Sequence, residues 1–578
     1  MNLRRLSWGW LFPAIAVSTA ARADTVCSQL QPLASGVCAV TPGSSDLLIR
    51  GDVLAPDQIY RGGSVHVSAA GLIDCVGCNC DADGATVLQC PDGVIAPGLI
   101  NAHDHLTYTH NQPRVGTSER YEHRHEWRLG LNGHTRIVAP GSAPQAAIQF
   151  AEIRQLMSGT TSIVGSGVGA GLLRNLDGSV VNSQLPITVE VAGFPLGDSN
   201  GPLLTSGCAY PHIVTPADIA GDTAFLAHAS EGISSAAHNE FACLSSTSGQ
   251  VLTGNKTAFQ QSLGITAVDQ SVMATSGTSL VWSPRSNLAL YGDTAQVTAA
   301  ARLGVTIALG TDWIITGSMN LLRELACASS FNAQYLNQFF SDRALFEMVT
   351  SNAARATGAS DQIGSLTVGR WADIAIFDAR VHADYRAVLD AGPTDVALVV
   401  RGAKPLYGDD NLLQALSTNC EQLDVCGSSK RLCLVGEISA SYAALQNSGY
   451  YPAFECGPPR DEPTCTPARS VSVSGSSVYD GVSRADDPDG DGLSSSVDNC
   501  PSVFNPVRPL DLGVQADADG DHLGDACDAE PLQAAPAVPA TRMGGLCWLA
   551  LGFAVIAARS RYAHARQRAL RFWSRKAR

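Results

Sequence analysis

The sequence is poor in positive charge, and the positive charge that it has is unevenly placed. Its 578 residues include 38 lysines and arginines against 53 aspartates and glutamates, which gives a formal charge of −15. Residues 559–578 hold eight basic residues and no acidic one, so the rest of the chain carries −23. An acidic body of this kind argues against nucleic acid as a partner.

Long hydrophobic runs are also lacking. Trp8–Val17 is too short for a spanning helix, follows two arginines and precedes the small-residue pattern Ala21-Arg22-Ala23. These features are typical of a cleaved secretory signal peptide, which we place at residues 1–23.

The second apolar run, residues 543–558, is somewhat shorter than the ~20 residues of a typical spanning helix. The basic residues 559–578 behind it favour a cytoplasmic tail, so the run is interpreted as a transmembrane or sorting segment rather than a buried terminal helix. Its glycine pair, apolar run and basic tail resemble bacterial C-terminal sorting signals. We expect an exported protein of the periplasm or bacterial cell surface, anchored in the membrane by this segment or released after its processing.

The cysteines agree with export. Of the 17 cysteines, all but Cys547 precede the apolar C-terminal segment, which leaves an even number. In an oxidising compartment most of them should form disulfides. Cys75, Cys78 and Cys80 also fit a metal knuckle, but disulfides, with Cys90 as a further candidate, are the preferred interpretation, and the connectivity stays open.

A short apolar stretch, Leu99–Ala102, ends in His103-Asp104-His105. Residues i and i+2 of a strand point to the same side, so His103 and His105 can face one point while Asp104 faces away. Two imidazoles at the end of a buried strand can begin a site for zinc, iron or a similar ion. Surface histidines beside a turn are the alternative, and the following sequence decides against it.

From residue 146 onward, helix-like and strand-like stretches alternate. Alternation of this kind predicts a parallel sheet, and the length from His103 to about Thr350 fits one (β/α)8 barrel of ~250 residues. His103, His105, His228 and Asp312 all end predicted strands, where the active residues of such barrels lie.

His228-Ala-Ser-Glu231 and Gly310-Thr-Asp312 complete the candidate site. His228 and Asp312 can join the two earlier histidines as metal ligands, and Glu231 can move the proton of an activated water. Asp312 can also orient that water. The polar loop Arg120–Arg128 is long enough to serve a site. Its histidines, His123 and His125, are expected to be solvated or hydrogen-bonded rather than ligands.

Two acidic repeats lie near the C-terminus. Alternating aspartates around a glycine supply oxygen ligands for a hard cation, whereas a disordered acidic linker would not repeat with matching cysteines. The segment resembles thrombospondin type 3 calcium repeats, and the resemblance implies a Cys500–Cys527 disulfide. The calcium-binding residues predicted on this basis are Asp487, Asp489, Asp491, Asp498, Asp517, Asp519, Asp521, Asp525 and Asp528.

The motifs Pro97–His105, His228–Glu231, Trp282–Leu288 and Leu309–Asp312 resemble the amidohydrolase superfamily. More narrowly, they resemble its mononuclear branch of cytosine and guanine deaminases and triazine hydrolases. The resemblance implies one divalent transition metal, zinc or iron, held by the ligands named above, and Glu231 as acid/base. No strand-end lysine suited to carbamylation is apparent, which favours one metal over two. Three residues are implied to contact the substrate, namely Trp282, Arg285 and Asn287.

Gln261 departs from the family pattern, since the resemblance implies a histidine at the end of the sixth strand. An amide can donate and accept hydrogen bonds but cannot carry a proton. Gln261 is therefore a third candidate catalytic residue, beside Glu231 and Asp312, with slow or altered turnover as the expected consequence. His238 is a possible substitute, but a place on a helix surface is the preferred interpretation.

The expected protein is an α/β metal-dependent hydrolase that acts on carbon–nitrogen bonds other than peptide bonds in a small-molecule substrate. A hydrolytic deaminase or dechlorinase of heterocycles on the same site, and a catalytically lapsed calcium-binding surface protein, are the alternatives. The expected domains are a signal peptide (1–23), the N-terminal part of a small β-sandwich (24–97), the barrel (98–355), the C-terminal part of the sandwich (356–410), a cysteine-rich extension with linker (411–480), calcium repeats (481–532), the apolar segment (543–558) and the basic tail (559–578).

Overall fold

The computed structural model describes residues 24–165, 171–446 and 448–533. The predicted signal peptide, apolar segment and basic tail lie outside these residues, as does Cys547. Within the described ranges, no helix is both long enough and apolar enough to cross a membrane.

Six strands precede the barrel. The longest two, β3 and β6, pair in parallel and bury the apolar side chains of one face, in keeping with alternation along a half-buried strand. The six strands are β1 (Thr25–Val26), β2 (Ala39–Thr41), β3 (Ser44–Leu54), β4 (Ile59–Val67), β5 (Ile73–Gly77) and β6 (Ala85–Pro97).

Eight short strands follow in two parallel sheets, one of three strands and one of five, each in chain order. A backbone hydrogen bond from Ala102 to the Leu309 carbonyl joins the first strand to the last across one seam, as in a TIM-barrel-like domain. The strands are β7 (Leu99–Asn101), β8 (Thr160–Ile163), β9 (Arg174–Asn175), β10 (Val189–Ala192), β11 (Ala224–Ala229), β12 (Thr257–Gln261), β13 (Ser279–Trp282) and β14 (Ile307–Leu309).

Helices cover the barrel strands, which are therefore buried on both faces and lack a polar alternate face. Local signals set the helix ends: Thr266 and Asp269 form a capping box, and Gly277, at φ 79°, ends the same helix. The helices are α1 (Arg124–Leu129), α2 (Gln145–Leu156), α3 (Val180–Ser183), α4 (Ser235–Leu244), α5 (Ala267–Ser276), α6 (Pro284–Tyr291), α7 (Val297–Leu303), α8 (Leu321–Tyr335), α9 (Asp342–Glu347) and α10 (Ser351–Ala356).

The chain then returns to the first sheet, because β15 pairs antiparallel with β6. The later elements are β15 (Ile374–Asp378), α11 (Arg386–Leu389), β16 (Val396–Arg401), β17 (Lys404–Asp409), α12 (Asp410–Leu416), β18 (Glu421–Val425), β19 (Ser428–Leu432) and α13 (Tyr442–Gln446). Three 3₁₀ turns complete the list, at Leu106–Tyr108, Leu131–Gly133 and Pro509–Asp511.

The composite sheet differs from the predicted sandwich in extent and form. Hydrogen bonds join its strands into one eleven-stranded sheet, and it runs on to Leu432 instead of ending at residue 410. The last two strands, β18 and β19, are short and largely polar, so they lack the apolar alternation that marks a half-buried strand. Part of the predicted cysteine-rich extension therefore belongs to the sheet.

The prediction that the cysteines pair is confirmed for all sixteen that the structure describes. Cys75 and Cys78 bond to Cys80 and Cys27, not to a shared metal, and Cys90 bonds to Cys38. The implied Cys500–Cys527 disulfide is present. The remaining bonds are Cys208–Cys243, Cys327–Cys465, Cys420–Cys433 and Cys426–Cys456.

The acidic repeats pack against the barrel. Arg508, 2% exposed, donates to the carbonyls of Leu263 and Ile265 just after β12 and pairs with Asp511. Leu510 donates its backbone N–H to the Ile233 carbonyl. The predicted calcium-repeat segment is therefore hydrogen-bonded to the loops that follow two of the barrel strands.

A second buried arginine joins the preceding linker to the same side of the barrel. Arg469 donates to the carbonyls of Tyr121 and Tyr291 and pairs with Glu122. The predicted Ser/Gly linker is also fixed, since Ser477 donates its backbone N–H to the Val507 carbonyl. Residues 467–528 are called the extension below.

Candidate metal centres and the adjoining cavity

The first two histidines lie just after β7 and meet as the strand pattern predicts. Their Nε2 atoms are 3.2 Å apart, and His103 is 1% exposed. Asp104 points the other way, where it accepts hydrogen bonds from Thr311 and Gln155. The alternation of a short strand therefore places two imidazole nitrogens at one point.

His228 and Asp312 join them from β11 and from the turn after β14. The ligand atoms of the three histidines lie within 4.8 Å of one another. Asp312 Oδ1 is 3.5 Å from His103 Nε2 and 3.4 Å from His105 Nε2. A side chain at Gly310 would bring a Cβ to 2.4 Å from His103 Cβ, so glycine is required for β14 to approach this closely.

Four residues at the same strand ends have a strained backbone. Ser230, Gln261, Ser262 and Asp312 all have φ between 48° and 70°, in the left-handed region that residues other than glycine rarely adopt. They follow or end β11, β12 and β14. Strain of this kind persists only where the surrounding packing fixes it, and it clusters at functional sites.

The chemistry of this donor set fits a divalent transition metal. Burial and neighbouring imidazoles lower the pKa of His103, and burial and His228 lower that of His105 to about 3, so both rings are neutral, the form that binds metals. His228 Nε2 is buried without a hydrogen-bond partner. The ligand side chains are also held by hydrogen bonds from neighbouring residues: His103 Nδ1 lies 3.3 Å from Ser283 Oγ, and Ser286 donates to Asp312 Oδ2.

Glu231 stands beside this centre. Its Oε2 is 3.2 Å from His228 Nδ1, and its Oε1 accepts a hydrogen bond of 2.9 Å from the Tyr291 hydroxyl. Burial opposes the charged form, but His228, Arg124 and Tyr291 together outweigh it and lower the pKa of Glu231 to about 2. The group is therefore a carboxylate that can accept a proton next to the metal ligands.

Gln261 ends β12 at the rim of the centre. Its Oε1 accepts a hydrogen bond from Asn287, and its buried Nε2 has no hydrogen-bond partner. The Gln261 side chain is among the groups that counter the burial-driven rise in the pKa of Asp312. The amide is thus directed toward Asp312.

None of the predicted substrate contacts Trp282, Arg285 and Asn287 is among the residues that line the cavity at the histidine centre. Trp282 is fully buried and donates to Thr294. Arg285 is directed away, toward Ser318, the Pro463 carbonyl and Glu462. Asn287 binds Gln261. Their motif leads from the end of β13 into α6, where Trp282 and Asn287 bond within the barrel and Arg285 bonds to the cysteine-rich segment.

The cavity itself measures about 550 Å³ and is reached by His105, His228, Glu231 and Asp312. Its other walls hold residues that the sequence interpretation missed, chiefly Tyr108, Arg124, Trp127, Arg128, Arg136, Phe194 and Trp313. Two signals point to them. Several lie in or just beyond the charged aromatic loop after β7, and Phe194 and Trp313 follow the ends of β10 and β14.

His123 and His125 belong to a separate buried network at the start of α1. His123 Nε2 is 3.1 Å from Glu240, and His125 Nε2 is 2.9 Å from Asp198. Arg124 lies between them and pairs with Asp198 at 2.5 Å. A guanidinium inside the cluster disfavours a cation there, so the two histidines are hydrogen-bonded side chains. His238, 37% exposed at its side chain, pairs with Asp269 on the helix surface.

The first aspartate loop is a second candidate metal centre. Asp487, Asp489 and Asp491 are buried, with carboxylate oxygens within 4.8 Å of one another. Asp489 Oδ2 and Asp498 Oδ2 are buried without hydrogen-bond partners. Burial and mutual repulsion raise the pKa of Asp489 to about 8, and burial raises that of Asp491 to about 7. A hard cation bound here would stabilise the charged carboxylates and so offset both causes.

The second aspartate loop is more exposed. Asp517, Asp519 and Asp521 also bring carboxylate oxygens within 4.8 Å of one another. Asp525 and Asp528 are buried, and Asp525 accepts the backbone N–H of Ala518.

Residues 214–406 match the family described as the amidohydrolase family. A 5-methylthioadenosine/S-adenosylhomocysteine deaminase of Teredinibacter turnerae is 34% identical over 115 residues, 19% of this chain and 26% of that protein. The protein of the same name from Haloarcula marismortui is 25% identical over 381 residues, 58% of this chain and 84% of that protein. The match to the first curated relatives spans only 26% to 38% of their length.

Solved structures that resemble this chain include a zinc-bound adenosine deaminase from Xanthomonas campestris, at 18% identity and TM-score 0.48, covering 69% of this chain and 96% of that one. A zinc-complexed atrazine chlorohydrolase from Arthrobacter aurescens has 17% identity and TM-score 0.47, covering 62% and 95%. Residues 214–406, about a third of this chain, therefore resemble the amidohydrolase family.

Proposed function

We propose that this protein is a metal-dependent hydrolase of carbon–nitrogen bonds other than peptide bonds. The observation that carries the proposal is the convergence of His103, His105, His228 and Asp312 with Glu231 on one wall of a 550 Å³ cavity. These groups come from strands far apart in sequence and meet at the carboxyl ends of the barrel strands, where the reactions of such barrels take place.

The four ligands would hold one divalent transition metal, zinc or iron, which supplies the Lewis acidity that makes water a nucleophile near neutral pH. A single ion is favoured because the barrel has one lysine, Lys256. It precedes β12 and donates to the Ile219 carbonyl, away from the strand ends that carry the histidines. The mononuclear branch of the superfamily is therefore the proposed one.

Glu231 is the proposed proton carrier. It accepts a proton as the water oxygen bonds to the substrate carbon, and it returns the proton to the nitrogen as the carbon–nitrogen bond breaks. Tyr291 and His228 fix its two oxygens, so the carboxylate faces the cavity in one orientation. Asp312 orients the water, and Gln261 holds water or substrate by hydrogen bonds, since its amide carries no proton.

Hydrolytic deamination of a heterocycle is the second candidate. It is favoured by the names of the curated relatives, which are 5-methylthioadenosine/S-adenosylhomocysteine deaminases. The same water attack then releases ammonia from a ring carbon, with Glu231 in the same role.

We also propose that calcium binds the first aspartate loop, as in thrombospondin type 3 repeats, and the second loop with lower affinity. Support comes from the unpartnered buried oxygens of Asp489 and Asp498. We also propose that the protein is exported and is either attached to the membrane through residues 543–558 or released after processing. The sequence of the two ends and the eight disulfides support this proposal.

The test combines metal analysis with a screen of amides, cyclic ureas and aminoheterocycles. We expect about one transition-metal ion per chain and turnover that chelation abolishes. His105→Ala should lose the metal, and His382→Ala, which removes an exposed histidine, should keep it. Full metal content in His105→Ala, or no turnover by the metal-loaded parent on the whole panel, would overturn the proposal.

A further inference from the structure

Two of the three arginines that line the cavity at the histidine centre form no ion pair with the described residues. Arg124, Arg128 and Arg136 all line it. Arg124 pairs with the buried Asp198. Throughout the described part of the chain, however, no carboxylate oxygen lies within the 4.0 Å ion-pair distance of Arg128 or Arg136.

Arg128 is held in place. Its Nη1 lies 2.8 Å from His125 Nδ1, its Nη2 donates to the Ser199 carbonyl, and its guanidinium stacks 4.4 Å from the centre of the Phe194 ring. Two of its five N–H groups are used in these contacts, which leaves three for a ligand.

The charge of Arg128 is only partly compensated. Partial burial is the main cause that lowers its pKa and Arg124 lowers it further, whereas Glu231 and Asp198 raise it. Arg136 adds another positive charge at an exposed position of the same cavity. A carboxylate bound to Arg128 and Arg136 would compensate these charges and would fit the planar guanidinium.

Another part of the cavity wall is aromatic. Trp313 packs against Trp127 with ring centres 5.1 Å apart and against Tyr108 with ring centres 5.6 Å apart. This wall can cover an apolar or planar part of a ligand. It lies beside Glu231, because Trp127 donates to Tyr291, which in turn donates to Glu231.

We propose that the substrate carries a carboxylate remote from the carbon–nitrogen bond that is cleaved, joined to it through an apolar or planar group. Arg128 and Arg136 form the carboxylate subsite, and Trp127 and Trp313 cover the connecting group. The inference rests on the proposed function, since it extends the same cavity from the reacting bond to its outer end.

The test measures binding without turnover. Glu231→Gln protein is titrated at low salt with 4-acetamidobenzoate and with its neutral twin 4-acetamidobenzamide, by calorimetry. We expect the carboxylate to bind at least tenfold more tightly than the amide. Arg128→Gln and Arg136→Gln, each added to Glu231→Gln, should reduce this preference, and the same change at Arg355, exposed and outside the cavity, should leave it intact.

Two outcomes overturn the subsite: equal affinity for the twins, including no measurable binding of either, or a preference that survives both cavity substitutions. The result is separable from that of the hydrolase proposal. A charge preference in a protein whose metal-loaded parent hydrolyses nothing would uphold the subsite and refute the hydrolase, and turnover without a charge preference would do the reverse.

Discussion

The histidine centre and the first aspartate loop each hold three ligand groups within 4.8 Å of one another, but the ligands differ in charge. In the histidine centre, lowered pKa values keep His103 and His105 neutral, and Ser283 and Glu231 supply outer contacts to the rings. In the loop, carboxylates repel one another, and the pKa of Asp489 is raised to about 8.

The difference predicts which site needs its ion in order to fold. Neutral imidazoles at the ends of barrel strands can be held together by the surrounding core, so the histidine centre should be preformed. Buried carboxylates without partners are costly unless they protonate or bind a cation. The aspartate loop should therefore depend on its ion for structure, and the histidine centre should depend on its ion only for chemistry.

The largest expected effect is the loss of activity in Glu231→Gln. The amide keeps the shape and the hydrogen bond from Tyr291 but cannot carry a proton, so turnover should fall about 100- to 10,000-fold. Metal content should be unchanged, because Glu231 is not a ligand. Glu190→Gln, the same substitution at an exposed residue of β10, serves as the control. Parental turnover in Glu231→Gln would refute the proposed mechanism.

Removal of calcium should have the next largest effect. An ion present at about 100 times its Kd stabilises the protein by roughly 2.7 kcal/mol. Because Arg508 and Leu510 are hydrogen-bonded to barrel loops, chelation should lower the unfolding temperature of the barrel together with that of the extension. Calorimetry measures this, and Asp489→Asn should reproduce it, with the exposed Asp361→Asn as control. A barrel transition that does not move would show that the two regions are independent.

Much of the histidine centre could be predicted because it depends on local patterns: a strand ending in His103-Asp-His105, and single polar residues at later strand ends. Other contacts could not be predicted. β9 has only two residues, which is too few for a periodic pattern. Arg285 was predicted to contact the substrate, but its hydrogen bond to the Pro463 carbonyl depends on how distant segments pack. Arg128 was missed for the same reason.

The pH dependence of the calcium-free protein should be a smaller effect. The raised pKa of Asp489 means that the folded state binds a proton more tightly than the unfolded state does. Its stability contribution is therefore fully present below the usual carboxyl range and is lost as the pH rises to about 8. The chelated protein should melt at a lower temperature at pH 8 than at pH 5.5. Saturating calcium should reduce this difference in melting temperature. An equal fall in melting temperature from pH 5.5 to pH 8 with and without calcium would contradict the prediction.

The smallest effect is expected for Gln261→His. A titratable ring beside Asp312 should assist proton transfer and raise turnover by up to about tenfold, with metal content unchanged. The measurement is kcat for parent and variant on the best substrate of the panel. A fall in kcat would show that the pocket is built around the amide and its hydrogen bond from Asn287.

The two buried arginines of the extension also determine when the barrel can be completed during synthesis. Arg508 supplies hydrogen bonds to carbonyls 245 and 243 residues earlier, and Arg469 reaches back 348 residues to Tyr121. Until those arginines have left the ribosome, the loop after β12 and the carbonyl of Tyr121 lack these partners. Contacts this far apart in sequence slow folding because long loops must close first. We therefore expect the barrel segment to finish folding only after the extension has been synthesised, and to be prone to aggregation until then.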